Sequence, residues 1–467
     1  MREYKYSAFT NKIEKNIKKG VLKSGDKLPS VRKTKAEYKL STTTVQNGYD
    51  YLVSKGIVTS IPKSGYIVSD SASTLQLASK NKNSVVINTP FRDNILLTSQ
   101  QQGYSELTAL NAATPADTFI PQKLILQTMQ QVIRDKNASL LRYYPNNGSL
   151  ELKEQIVKRS ILHEIPIGIN ELIITDGALQ ALYIALATIT TPSDIVAVES
   201  PCPFSILQVI ASLKLKMIEI PMRLTEGLDV DYLKKVCTKN TIKAILVTPN
   251  FQNPTGLQLT ESQKREIYTI AQSHQIPIIE NDIYGDLYFD DIRPSTIKHL
   301  DTEGLVLTYS SYSKTIAPGI RLGWLAAGKF TVQAEQIRFA LGRSVSPINQ
   351  ETINALLQNR NFDKHLKSFR LQLKEQAVTL TTTLNTAFAK DFKISAPQGG
   401  YSLWCQLPNA IEHSHFFKLC QQQGIYFTPG ETFSFTNTYE RYFRATFSHQ
   451  LNDNTLQKIS EIGQRIS

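Results

Sequence analysis

Six short runs, ELIITD, DIVAVES, KMIEIPM, AILVTPN, IPIIEND and LVLTYSS, fall between residues 171 and 311 and constrain the fold more than anything else in the chain. Each is rich in Ile and Val and mostly lacks the in-out alternation of a half-buried strand. Strands buried on both faces read this way, so the runs predict a central, largely parallel sheet. Helical patterns alternate with them, which makes the region an α/β body with helices flanking the sheet. Sites in such sheets collect in the loops that follow the strands, so those loops are where chemistry is expected.

At 467 residues the chain is too long for one ordinary domain, and two or three are expected. No apolar run reaches the roughly 20 residues that span a bilayer, so no membrane partner is expected. The start, MREYKYSAFTNKIEK, lacks the pattern of a signal peptide. Cys202, Cys237, Cys405 and Cys420 lie far apart with no C-x-x-C pair, which predicts neither a disulfide framework nor a metal site and fits a reducing cytoplasm.

Charge separates a head from this body. Residues 1–70 hold 14 of the 52 Lys and Arg but only 6 of the 40 Asp and Glu, a net +8 out of +12. A small basic head on a nearly balanced body suggests a polyanion as the head's partner. Ile13, Ile17, Val21 and Leu22 predict a first amphipathic helix ending near Ser24-Gly25-Asp26. Ser30 can cap a second and Ser41 a third, in which Val45, Tyr49 and Leu52 share the inner face. IVTSIPKSGYIV then reads as a hairpin. Together these form a winged helix-turn-helix. Thr42, Thr43, Thr44 and Gln46 are placed to reach base edges, and Arg32, Lys33, Lys63, Ser64 and Gly65 to meet phosphates, with Ser41 also expected at the DNA. Gly48, inside the third helix, costs about 1 kcal/mol relative to alanine.

The stretch from GDKLPSVR through the Ser-Thr-Thr-Thr-Val helix start to the Gly-Tyr wing resembles the GntR-type winged-helix domain over residues 5–68. The resemblance implies binding to operator DNA as a dimer. Thr42 departs from it, since the family usually has arginine there. The Ser-, Asn- and Gln-rich stretch after it reads as a tether, in which VVINTPF is either a strand or a segment lying on the body.

Beyond the tether, each strand run leads into a polar group. ELIITD is followed by Gly177 and a helix start at Ala178 and Leu179, an anion-binding geometry. AILVTPN leads to Asn253 before Pro-Thr-Gly, and IPIIEND ends in Asp282 with Tyr284 two residues on. LVLTYSS brings Ser311, Ser313, Lys314 and Arg321. A phosphate cradle, an aspartate, an asparagine, a tyrosine and a lysine are the groups that pyridoxal 5′-phosphate requires. The amine forms an imine with the aldehyde, and a carboxylate keeps the ring nitrogen protonated.

With GALQAL, NPTG, DIYGD, SYSKTIAPGIRLGW, PQGGYSLW and YFRATFS, the region from about residue 105 to the end resembles fold-type I, aspartate-aminotransferase-like proteins. The resemblance implies a large mixed, mostly parallel sheet and a smaller C-terminal α/β subdomain from about residue 340. It makes Lys314 the Schiff-base lysine and Asp282 the partner of the ring nitrogen. Asn253 and Tyr284 then hold the ring hydroxyl. Ser311, Ser313 and Arg321, with the backbone at Gly177, Ala178 and Leu179, hold the phosphate. Tyr143 reaches the neighbouring subunit's phosphate, and Arg444 clamps a substrate carboxylate. Pro203 stands where an aromatic residue usually stacks on the ring; either Phe204 takes that place with a shifted backbone or the stacking is lost.

A head over 1–69, a linker over 70–104 and a body over 105–467 resemble the MocR-type bacterial regulators. That implies a homodimeric, DNA-binding transcription factor which senses an amine, an amino acid or the cofactor. The alternative is an active aminotransferase with a fused head, because every group that transamination needs is present.

Overall fold

The computed structural model describes residues 6–18, 21–23, 25–54, 57–61, 65–68, 84–89, 108–224, 227–388 and 391–466. Lys63 and Ser64, expected at the wing, lie outside these residues.

The head comprises α1 (Ser7–Lys18), α2 (Val31–Tyr38) and α3 (Thr42–Ser54), followed by an antiparallel hairpin of β1 (Val58–Ile61) and β2 (Gly65–Val68). Both expected serine caps form. Ser30 accepts from the Lys33 amide, and Ser41 Oγ accepts from the Thr44 amide at 3.0 Å. Each such cap stabilises its helix by about 1 kcal/mol. The expected length of the first helix does not hold. The Val21 and Leu22 amides both turn back onto the Asn16 carbonyl, which closes α1, and Val21 is 66 % exposed. Phe9, Val45, Tyr49, Leu52, Val58 and Val68 form the head's core. Gly48 has a clear reason for its place in α3: a Cβ there would lie 2.2 Å from the Phe9 ring. Contact between α1 and α3 offsets the helix-propensity cost.

In the body, β3 (Ile87–Asn88), β5 (Leu172–Thr175), β6 (Ile195–Ser200), β7 (Lys216–Arg223), β8 (Gly227–Leu228), β9 (Ile242–Val247), β10 (Ile278–Asn281), β11 (Val306–Ser311) and β12 (Gly323–Ala326) form one sheet. Its order is β3-β7-β6-β9-β10-β11-β12-β5, with β8 on β7. The pairs from β7 through β11 are parallel, while β12 runs against both of its neighbours. VVINTPF thus contributes an edge strand, β3, antiparallel to β7. β5, β10 and β12 are buried along their whole length, which is why their sequences carry no alternation.

Among the described residues of the body, the helices begin with α4 (Gln122–Lys136), α5 (Leu150–Leu162), α6 (Ala178–Ile189), α7 (Phe204–Ser212) and α8 (Val230–Lys239). They are followed by α9 (Glu261–His274), α10 (Thr331–Ala340), α11 (Pro347–Gln358) and the long α12 (Arg360–Ala387). Residues of α6 and α7 pack with one side of the sheet, and those of α8 and α9 with the other. A smaller sheet, β13 (Lys393–Ile394), β14 (Ser402–Gln406), β17 (Tyr442–Thr446) and β16 (Thr428–Pro429), packs with α12, α13 (His413–Gln422) and α14 (Asp453–Ile466). A two-stranded parallel pair, β4 (Thr108–Ala109) and β15 (Ile425–Tyr426), ties the start of the body to this subdomain.

Head and body also touch. Tyr6 Oη donates to Asp290 Oδ1 at 3.2 Å. Asn47, Asp50 and Tyr51 of α3 line a cleft opposite Phe289, Lys374 and Gln398. Among the described residues, no helix is long and apolar enough to cross a membrane.

Candidate functional site

The carboxyl ends of β5, β10 and β11 converge with the loop after β9 and with β17. Lys314 follows β11, and its Nζ donates to the Ala113 carbonyl at 2.5 Å. The lysine is half-buried. Enclosure, and then the Arg444 and Arg321 guanidiniums, push its amine down from 10.5 to about 8. The Tyr401 hydroxyl donates to the Lys314 carbonyl, fixing the backbone at the lysine.

Asp282 ends β10, its amide bonded to the Tyr309 carbonyl at 2.9 Å and its own carbonyl to Ser310 Oγ at 3.0 Å. Its carboxylate is buried. Oδ2 is held by Arg293, while Oδ1 is buried without a hydrogen-bond partner among the described residues. An unmatched acceptor at this depth costs about 1–3 kcal/mol unless something supplies a proton, and a protonated ring nitrogen would.

Tyr284, two residues on, is buried and side-chain bonded to Asn253; burial pushes its hydroxyl up to about 12. Asn253 Oδ1 in turn accepts from Arg444 Nη1 at 3.0 Å. Arg444 also donates to Thr428 Oγ1 at 3.0 Å and to the Asn111 carbonyl. Burial lowers it from 12.5 to about 10, so it remains a cation at neutral pH. Its Nε has no hydrogen-bond partner among the described residues.

A second group of donors lies at the start of α6. Gly177 is the N-cap and contributes no side chain to it, so the first amides of Ala178 and Leu179 face outward with the helix dipole. Arg321 is exposed and donates to the Asp176 carbonyl at 2.7 Å. A Cβ on Gly177 would sit 2.9 Å from Arg321 Nη2, so only glycine leaves that guanidinium its place. Ser311 Oγ donates to Ser313 Oγ at 2.9 Å, and both serines are buried. One lysine, one unpaired carboxylate oxygen and one anion-binding helix start are the complement of a phosphorylated pyridine aldehyde, so the residues present fit that group.

Phe204 opens α7 after Pro203 and is half-buried. Tyr143 lies apart from this cleft, 75 % exposed, with the Arg343 guanidinium 4.7 Å from its ring centre. In the head, Arg32 of α2 is exposed, as are Ser41, Thr42, Thr43 and Gln46 at the start of α3, where Thr44 is half-exposed. Gly65 opens β2. The sequence reading missed the carbonyl partners at Asn111 and Ala113, and it missed Arg293. The first two act through the backbone, which leaves no trace in side-chain identity.

Comparison with known proteins gives the same two parts. Residues 108–461 match the family model for aminotransferase class I and II, and residues 5–68 match that for bacterial regulatory proteins of the gntR family. The chain is 30 % identical to the uncharacterized HTH-type transcriptional regulator YdcR of Escherichia coli K12, over 99 % of each chain. It is 28 % identical to the HTH-type transcriptional regulator NorG of Staphylococcus aureus USA300, over 93 % of this chain and 98 % of that one. Among solved structures, the multiple substrate aminotransferase of Thermococcus profundus superposes with a TM-score of 0.75 at 20 % identity, covering 81 % of this chain and 95 % of that one. The kynurenine aminotransferase of Pyrococcus horikoshii does so with 0.75 at 23 %, over the same shares. The chain therefore belongs to the aminotransferase class I and II family and carries, at its N-terminus, a DNA-binding head of the bacterial gntR regulatory family.

Proposed function

We propose that the protein is a transcriptional regulator whose head binds operator DNA and whose body holds pyridoxal 5′-phosphate and uses it to sense a small amine or amino acid. The single observation that carries the body's role is the pairing of a depressed lysine amine at Lys314 with a buried, half-unpaired carboxylate at Asp282. Pyridoxal phosphate supplies an aldehyde with which amines condense and a ring that draws electrons when its nitrogen is protonated.

Lys314 presents the amine, Asp282 Oδ1 holds a proton on the ring nitrogen, and Asn253 with Tyr284 orients the ring hydroxyl. Ser311, Ser313, Arg321 and the amides after Gly177 bind the phosphate, and Phe204 covers the ring. Arg444, already aimed by Asn253 and Thr428, offers its remaining donors to an effector's carboxylate. Thr42, Thr43, Thr44 and Gln46 read bases, with Ser41, Arg32, Lys63, Ser64 and Gly65 on the backbone. A homodimer is part of the proposal, with Tyr143 completing the partner's phosphate site. The exposed Leu141, Tyr143, Leu126 and Ile133 support a second copy there. The division into head 1–69, linker 70–104 and body 105–467 also belongs to the proposal.

A continuous series of contacts supports communication between the two parts. Tyr401 holds the Lys314 carbonyl, and Gly400 of the same turn bonds Leu287. Gln398 accepts from the Phe289 amide, and Gln398 and Phe289 both line the cleft with α3. An effector that alters contacts at Lys314 thus has a physical route to the head.

The second reading, an active aminotransferase, is favoured by the intact Arg444 and Lys314. Footprinting on the DNA upstream of the protein's own coding sequence, run beside an assay for 2-oxo acid production, separates the two. A protected operator with negligible turnover supports the regulator. Sustained turnover with no protected site supports the enzyme.

A further inference from the structure

Next to Asp282 lies a group of charges that the proposed chemistry does not use. Arg293 Nη2 reaches Asp282 Oδ2 at 2.5 Å, and its Nε reaches Asp286 Oδ1 at 2.9 Å. The arginine side chain is 6 % exposed, so it bridges the two carboxylates in an environment that screens little. Room for the bridge has been kept by Gly285. A Cβ there would fall 2.3 Å from both Arg293 Nη2 and Asp282 Oδ1. The bridge borders a polar cavity of about 50 Å³, lined also by Arg159, His163 and Tyr312.

We propose that Arg293 is a positioning residue for the cofactor's ring nitrogen: it keeps Asp282 ionised before the cofactor arrives and holds the free Oδ1 toward the ring. The proposal rests on the cofactor reading above.

The charges around Asp282 pull in opposite directions. Burial holds its carboxyl above the usual carboxylate range; Arg293 is the largest influence favouring the anion, Asp286 opposes it, and a side-chain hydrogen bond from Asn250 also favours the anion. On its own strand, Glu280 is buried and pushed up to about 7, with Asp282 among the causes. Lys264 of α9 also senses Asp282. Arg159 of α5 and His163, which caps it, act on the Asp286–Arg293 end, and Arg370 of α12 donates to the Asp286 carbonyl. Without Arg293, burial and Asp286 push the Asp282 carboxyl further up, against only the Asn250 hydrogen bond and the Lys264 charge.

Proton linkage supplies the test. With Asp282 ionised beforehand, a ring nitrogen that carries its own proton binds without proton exchange at this pair. With Asp282 protonated beforehand, forming the same pair expels a proton, so affinity falls about tenfold for each pH unit below the raised pKa. The dissociation constant of pyridoxal 5′-phosphate is to be measured from about pH 6 to pH 8.5 for the full chain, for Arg293→Gln and for Arg293→Lys. The ratio of variant to wild type cancels the pH dependence that Lys314 and the phosphate contribute to both.

The expected ratio for Arg293→Gln is tenfold or more at about pH 6 and shrinks steadily toward pH 8.5. Arg293→Lys, which keeps the cation, stays within about threefold and flat. A flat ratio for Arg293→Gln, or identical behaviour of the two variants, overturns the proposal. Infrared absorption of protonated carboxyl in the cofactor-free wild type, with Asp282→Asn subtracted, tests it without any change at Arg293. No Asp282 acid band at neutral pH supports the proposal, and a persistent band overturns it. Failure of the wild type to bind the cofactor at all would instead overturn the cofactor reading.

Discussion

Lys314 should behave as an amine of pKa about 8 rather than as an ordinary lysine of 10.5. At about pH 7 that leaves roughly 10 % of the side chain neutral, against roughly 0.03 % for an exposed lysine, a gain of about 300-fold in reactive amine. The rate of capture of pyridoxal 5′-phosphate should therefore climb about tenfold per pH unit on the acid side and level off above about pH 8. Borohydride trapping of the adduct at timed intervals, followed by mass spectrometry of the Lys314 peptide, reads this directly. The cause can be tested with the same assay. Arg444→Gln removes the larger of the two nearby positive charges and should move the plateau to higher pH, and Arg321→Gln should move it by less. A capture rate that keeps climbing through about pH 10 in the wild type would refute the argument that burial and these two arginines activate the lysine.

Changes in the head should separate DNA binding from cofactor binding. Leu52 is fully buried, so Leu52→Ala should cost the head about 2–5 kcal/mol and abolish DNA binding at 37 °C, while capture of the cofactor in a parallel assay stays at wild-type rate. Gln46→Ala, on the exposed side of α3, should lose about 1–3 kcal/mol of discrimination at one base position in a selection experiment. Arg32→Ala should instead weaken binding to all sequences alike and reduce the salt slope by about one, as read from affinity against salt concentration.

Much of this molecule is written locally in its sequence. The runs ELIITD and IPIIEND carry no alternation because they form strands buried on both faces, which favours apolar residues on each side, whereas KMIEIPM forms a strand whose burial largely alternates. The serine caps at Ser30 and Ser41 could be read for a similar reason, since capping joins residues three apart. What could not be read depends on partners distant in the chain. The end of α1 was misplaced because Val21 and Leu22 continue a helical periodicity while their amides fold back onto Asn16. Gly48 looked like a defect until Phe9 was found against it. Arg293, in the run FDDIRPS, reads as a charge on a polar loop. Only the turn at Gly285 brings it behind Asp282, 11 residues away. The carbonyls of Asn111 and Ala113 reach Arg444 and Lys314 from 333 and 201 residues away, through backbone atoms that any residue would carry.

The central claim is that Lys314 and the cofactor together control the head. Its most direct test is the affinity of the full-length protein for its own upstream DNA, measured with cofactor present, with and without a panel of small amines and amino acids, for wild type and Lys314→Ala. The account predicts that at least one amine shifts the wild-type affinity several-fold, and that Lys314→Ala binds DNA with its basal affinity and no response. A response that survives in Lys314→Ala, or DNA binding by the wild type that no amine alters, would contradict it.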